Sequence, residues 1–211
     1  MLMTLDDLSL KYKINPKQIL HIGAHLAEEA DEYYNCGDPL VFWVEANPDV
    51  IEKIEQNISQ YANQRVVNFL ITDKDGQDRE FHVTNYDGMS SSVFEFDRHP
   101  MYSPDTVFVN HIQLKSITIS TLCDIYDLIP DLLCLDIQGA ELLALRGAGN
   151  VLNNVKWIYS EVSTASVYSG GAQMHEIDDF LKNWGVRVET DLGMHGGTHG
   201  DALYVRSDLL T

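Results

Sequence analysis

Basic residues are scarce in this chain. Lys and Arg together number 14 against 32 Asp and Glu, a net charge of -18 over 211 residues. A surface of that sign repels phosphate backbones and anionic headgroups, so neither a nucleic acid nor a membrane surface is expected as a partner. Long apolar runs are missing too. No stretch reaches the roughly 20 residues that cross a bilayer, and MLMTLDDLSL sets no basic segment ahead of an apolar one, as a secretory signal would. Cysteine is limited to Cys36, Cys123 and Cys134, an odd number without zinc-type spacing, which predicts reduced thiols and a cytoplasmic protein. There are no low-complexity linkers and no internal repeats. The length suits one α/β domain over 1–211, with residues 1–15 as a lead-in.

What is present alternates between strand and helix patterns. Gln18 to Gly23 (QILHIG) predicts a first strand, and GAHLAEEADEYYNCG a turn and helix ending at Gly37. Val41 to Glu45 predicts a second strand. Asn47 caps a helix with Pro48 at its first position, and Val66 to Thr72 predicts a third strand. Such β-α-β-α-β order implies a parallel sheet with helices on both faces. After an irregular middle, with an outer strand at EFHVTN and a loop rich in Ser, Gly and Pro, strand character resumes from Val107 through Leu122. Val155 to Val162 predicts a fifth core strand and Met174 to Trp184 an amphipathic helix. Val186–Glu189 and Ala202–Val205 predict a closing strand pair joined by the loop DLGMHGGTHGD.

The chain is organised around Asp131 to Gly149, DLLCLDIQGAELLALRGAG. Leu132 to Leu135 form a short apolar run suited to a strand buried on both faces. Asp136 ends it, Gly139 breaks the extended pattern, and Glu141 to Arg146 take helical spacing up to Gly147. An acidic side chain therefore stands at the carboxyl end of a core strand, the edge where open α/β sheets bind ligands. Asp136 alone also fits a plain turn cap.

The words LDIQGAELLALRGAG and, after them, VKWIYSEVS resemble the signature of the FkbM-type methyltransferases, which use S-adenosylmethionine. The resemblance spans about Ile19 to Val205 and is poor from Asp87 to Asp105. It implies a Rossmann-like class I methyltransferase fold: a mostly parallel twisted sheet, helices on both faces and an antiparallel strand near one edge. It also implies methyl transfer from S-adenosylmethionine to an oxygen nucleophile, a hydroxyl on a sugar, glycan or small metabolite. Chains of this fold commonly carry an acidic residue where this one has His21 and a glycine where it has Ala27.

Several residues become candidates. In HIGAHLAEE, the backbone of Gly23, Ala24 and His25 at a strand–helix turn allows close approach of a ligand. Glu45, about 20 residues past the first strand's turn, is placed to accept ribose hydroxyls, with Ala46 beside it; the alternative, a cap on the next helix, is better filled by Asn47. Asp73, after the third strand, fits the adenine edge or an ordinary turn. Ser91, within Ser90 to Ser92, matches an SS word of the family and can face a ligand or stabilise a turn. Glu161 ends the fifth strand beside Asp136, and two carboxylates at neighbouring tips can raise each other's pKa. His195 and His199, in the glycine-rich loop, suit general base work. Their H-x3-H spacing fixes no third ligand, so no metal is expected. Gly23, Ala24, His25, Glu45, Ala46, Asp73, Ser91 and Asp136 are thus the cofactor-side candidates, and Asp136, Glu161, His195 and His199 the acceptor-side ones. Two other functions fit a Gly turn followed by a strand-end acid: a non-catalytic nucleotide-binding module, and a nicotinamide oxidoreductase. The second lacks its G-x-G-x-x-G.

Overall fold

The computed structural model of the chain describes residues 2–194 and 196–210. The lead-in is a helix, α1 (Leu5–Tyr12), started by the Thr4 hydroxyl, which accepts the Asp7 N–H at 3.2 Å. Its Leu5 and Leu8 pack with Tyr33, Trp43 and Ile54. Strand β1 (Gln18–Ile22) follows, then α2 (Ala30–Asn35) and β2 (Leu40–Glu45). The α2 helix starts later than the sequence pattern predicts, because His25 and Ala27 take left-handed φ values of 45° and 57° and keep the chain turning as far as Glu29. Asn47 caps as expected, its Oδ1 accepting the Asp49 N–H at 3.1 Å, and a helical turn at Pro48–Val50 leads into α3 (Ile51–Ile58).

The predicted third strand divides. Strand β3 (Gln64–Asn68) pairs with β2, and β4 (Leu70–Ile71) belongs to another sheet. Strand β2 ends at Glu45, whose carbonyl takes the Phe69 N–H at 3.1 Å, so beyond Phe69 the chain has no partner in the first sheet and finds one in the second. That second sheet has the order β4-β6-β5, with β5 (Asp78–Thr84) antiparallel to β6 (Phe108–Ile117). Between them lies a short helix, α4 (His99–Tyr102). The strand character expected through Leu122 stops at Ile117, and α5 (Ile119–Tyr126) begins there. Thr118 is its cap, accepting the Thr121 N–H at 3.1 Å, a local hydrogen bond that outweighs a three-residue alternation.

Strand β7 (Leu132–Leu135) then enters the first sheet, followed by α6 (Glu141–Arg146), β8 (Trp157–Ser163), α7 (Met174–Leu181), β9 (Gly185–Met194) and β10 (His199–Arg206). The order is β3-β2-β1-β7-β8-β10-β9. The first five are parallel, and β10 is antiparallel to both neighbours. Side chains alternate across this sheet. Leu20, Ile22, Phe42 and Leu133 pack with Leu142, Leu145, Ile177 and Leu181 from α6 and α7. Ile19, Val41, Trp43 and Cys134 face α1, α2 and α3. A fully buried aliphatic side chain contributes about 1.5–3 kcal/mol. Trp43 hides its polar atom as well, its indole N–H donating to Gln64 Oε1 at 3.0 Å. The closing hairpin is longer than expected: much of the predicted loop is strand, and His199 lies in β10 opposite Ser163. Among the described residues no helix is long and apolar enough to cross a membrane.

Candidate active site

The connection order reverses between β1 and β7, and the carboxyl ends of β1, β2 and β7 open there into a cleft of about 310 Å³. This is the ligand position of open α/β sheets. The second sheet walls the far side with Leu70, Ile71 and Phe81, and Phe69, just before β4, adjoins them.

Ile22 leads directly into Gly23, whose φ of 92° and surroundings both demand glycine. A Cβ there would stand 1.8 Å from the Asp136 carbonyl oxygen. The N–H groups of Gly23 and Ala24 donate to the Val44 carbonyl, at 2.9 and 3.1 Å, which ties this turn to β2. The next N–H, of His25, donates to Glu45 Oε2 at 3.0 Å, and Asn47 N–H donates to Glu45 Oε1 at 2.7 Å. Each carboxylate oxygen thus takes one backbone donor and keeps further acceptor capacity at the cleft. Burial raises the Glu45 carboxyl above its usual range, and the Asn47 and His25 N–H groups oppose that. Burial works against a charge on the His25 ring, but Glu28, 2.5 Å away, raises its pKa. His21 sits 3% exposed against Trp43, with ring centroids 4.6 Å apart, and its Nδ1 meets the Tyr33 hydroxyl at 2.8 Å. Burial lowers its pKa, so a neutral imidazole stands at this strand position.

Asp136 follows β7 and lines the cleft. Burial raises its pKa well above the carboxylate range, with the Glu161 and then the Asp201 charge adding to the effect. A polar chain runs inward from it. Gln138 Nε2 donates to Asp136 Oδ1 at 2.7 Å and lies 3.0 Å from both oxygens of Glu161. Glu161 Oε1 is 2.6 Å from His199 Nε2, and the Tyr168 hydroxyl donates to Gln138 Oε1 at 2.5 Å. Burial, then Asp201, pushes Glu161 up to about 8, while burial lowers His199 against the pull of nearby carboxylates.

The sequence candidates separate on this frame. Gly23, Ala24, His25, Glu45, Ala46, Ser91 and Asp136 line one cleft. Glu161 and His199 do not: with Tyr168 they border a separate recess of about 10 Å³ behind Gln138. Asp73 lies away from the cleft, 3.9 Å from Arg79, in the turn before β5. Ser91 also holds its turn, accepting the Thr84 N–H at 3.0 Å, and Ser92 donates to the Gln138 carbonyl at 2.8 Å. His195 lies outside the described residues.

Sequence reasoning assigned nothing to Gln138, Glu141 or Tyr168. Gln138 adopts φ 56° and occupies the centre of the polar chain. Glu141 Oε1 accepts the N–H groups of Ile137 and Gly139, at 3.0 and 3.1 Å, and so fixes the turn that presents Asp136 and Gln138. A Glu in the first turn of a helix, just after a glycine break, is a signal that could have pointed to it. Tyr168 comes from a distant loop and left no sequence signal.

The sequence profile of the Methyltransferase FkbM domain matches residues 21–188. A characterised relative, the 2-O-methyltransferase NoeI of Sinorhizobium fredii, is 25% identical over 186 residues, 84% of this chain and 76% of that protein. Solved structures of similar fold include a fibrillarin/Nop5p complex (TM-score 0.55, 11% identity, 92% of this chain and 74% of that one). Another is the N-methyltransferase NodS of Bradyrhizobium japonicum with S-adenosylhomocysteine (TM-score 0.52, 10% identity, 96% of this chain and 83% of that one). At such identities the two structures bear on fold alone.

Proposed function

We propose, for a chain that belongs to the FkbM family of S-adenosylmethionine-dependent methyltransferases, that the methyl acceptor is a hydroxyl oxygen of a sugar, glycan or small polar metabolite. The polar end of the cleft carries this proposal: Asp136, backed by Gln138, Tyr168 and Glu161, offers acceptors for hydroxyl groups and a carboxylate to receive a proton. The relative named as a 2-O-methyltransferase supports the same acceptor class.

The residues present fit the cofactor. Glu45 keeps acceptor capacity on both oxygens for ribose hydroxyls. Phe69, Phe81 and Ala46 give an apolar wall suited to an adenine ring, and Ser91 stands beside it. The exposed backbone of Gly23 to His25, with Asp136, faces the remaining end. When bound, the cofactor supplies a methyl group on a cationic sulfur, which leaves as a neutral thioether. The protein has to bring the acceptor oxygen into line and take its proton.

Asp136 is the residue proposed for that proton; its raised pKa makes the ionised form a stronger base and a less populated one. Gln138 holds one carboxylate oxygen and leaves the other for the acceptor hydroxyl. Glu161 and His199, buried behind Gln138, set the electrostatics of Asp136 and do not touch the acceptor.

The test is incubation with methyl-labelled S-adenosylmethionine and a panel of oligosaccharides, polyols, carboxylic acids and amines. Label stable to mild base, as an ether, is expected on the hydroxyl acceptors. Transfer confined to an amine or a carboxylate would overturn the acceptor class. On the accepted substrate, Asp136→Asn should slow single-turnover transfer by about 100-fold while S-adenosylhomocysteine still binds. An unchanged rate would remove Asp136 as the proton acceptor.

A further inference from the structure

Glu80, His82 and His111 form a cluster on the face of the second sheet that points away from the cleft. Strands β5 and β6 pair Phe81 with Ile112 and His82 with His111. Residues opposite each other in an antiparallel pair share a face, and neighbours along a strand alternate. Phe81 therefore faces the cleft, and His82, His111 and Glu80 share the reverse face. There the His82 and His111 Nδ1 atoms stand 2.8 Å apart, and Glu80 Oε2 is 3.9 Å from His82 Nδ1. One ligand atom from each of the three residues fits within 4.8 Å.

We infer that this cluster is a site for a zinc-class divalent ion, held by Nδ1 of His82, Nδ1 of His111 and the Glu80 carboxylate. Two ligands bound at about 2.1 Å to a tetrahedral ion lie about 3.4 Å apart, and the observed 2.8 and 3.9 Å separations bracket that value. Imidazole with carboxylate is a donor set for zinc and its neighbours, whereas calcium and magnesium take oxygen throughout. On the far side of the ring, His82 Nε2 lies 3.9 Å from Glu95 Oε1, within ion-pair range and beyond hydrogen-bond reach. His82 is 4% exposed and wedged against Phe108, at 5.0 Å between ring centroids, which fixes its plane. Glu80 and His111 are exposed, so the ion has an entry path and one open position for water. Bound there, the ion bridges β5 to β6 directly behind Phe81 and stiffens that wall of the cleft.

The probe is zinc chloride, titrated into chelator-stripped protein by calorimetry, with melting temperature read in parallel. One ion per chain is expected, and the melt should rise by about 5–10 °C at a hundred times the dissociation constant. His111→Ala removes an exposed ligand and the hydrogen-bond partner of buried His82, so its zinc-free melt should fall modestly, while zinc binding and the zinc-induced shift are lost. Glu80→Gln should weaken binding at least about tenfold. His175→Ala removes an exposed histidine elsewhere and should bind zinc as wild type does. Saturation with no shift in melt, or binding undiminished in His111→Ala, would overturn the site.

Discussion

Glu45→Ala separates what this carboxylate does for the fold from what it does for the cofactor. In the folded chain its two oxygens each hold one backbone donor, His25 N–H at 3.0 Å and Asn47 N–H at 2.7 Å, and the residue is 8% exposed. Alanine leaves both donors unpaired. A buried donor without a partner costs about 1–3 kcal/mol, so the pair costs about 2–6 kcal/mol against a typical total of about 5–15. For a chain of this length each kcal/mol moves the melting temperature by about 2–4 °C. A fall of at least about 4 °C is therefore expected in scanning calorimetry. The proposed ribose contact would add a separate loss, since hydrogen bonds to a charged group contribute about 1.5–3 kcal/mol each. S-adenosylhomocysteine affinity should drop at least about tenfold, measured below the variant's melting range. Glu45→Gln keeps one acceptor oxygen and should fall between the two on both readouts. If the alanine variant melts with wild type, the turn does not depend on Glu45. If it melts early but binds normally, the carboxylate is a structural clamp outside the cofactor site.

Gly23→Ala should be among the most damaging small substitutions, because its methyl meets the Asp136 carbonyl oxygen at 1.8 Å on a backbone of φ 92°; an unchanged urea midpoint would refute that contact. Stability should also decline as pH rises. Burial first, and then Glu161's charge on Glu141 and Asp201's on Glu161, push both carboxyls up to about 8, above an unfolded value of about 4.3. The folded chain thus holds these protons more tightly, and their stabilisation is full below about pH 4 and lost as pH rises through about 8. His199 runs the other way, since burial lowers its pKa. Glu141→Gln removes one titrating group and leaves His199 in place, so its stability measured against wild type by urea unfolding should improve steadily from about pH 5 to 8. A constant difference across that range would mean that Glu141 does not titrate there.

The parallel sheet was legible because β1, β2 and β7 are buried along nearly their whole length, which forces continuous apolar runs, and because Gly23 and Asn47 mark turns by chemistry that nothing else supplies. Glu45 and Asp136 were legible as strand-end acids. The split at Phe69 was not, since it depends on where β2 stops offering partners, a fact carried by another segment. The same holds for Glu161. Its place at a strand tip predicted an opening onto the acceptor, but the Gln138 side chain closes that route, and only the φ of 56° at Gln138 brings it there. Asp73 lies outside the cleft lining for a local reason: β4 is two residues long and ends before the chain reaches it. Tyr168 and the His82–His111 pair come together from far along the chain and have no local pattern to read.

The contact between Gly23 and the Asp136 carbonyl has a consequence for how acceptor range can change. Where one backbone rests directly on another, neither strand tip can retreat without parting the sheet, so this side of the cleft behaves as a fixed anvil. Any accommodation of a bulkier acceptor falls to the opposite jaw. Beyond the Phe69–Phe81 wall, that jaw is the chain around Tyr86 and Met89, both largely exposed. Libraries aimed at new acceptors belong in residues 86–107, and the strand tips are best left untouched.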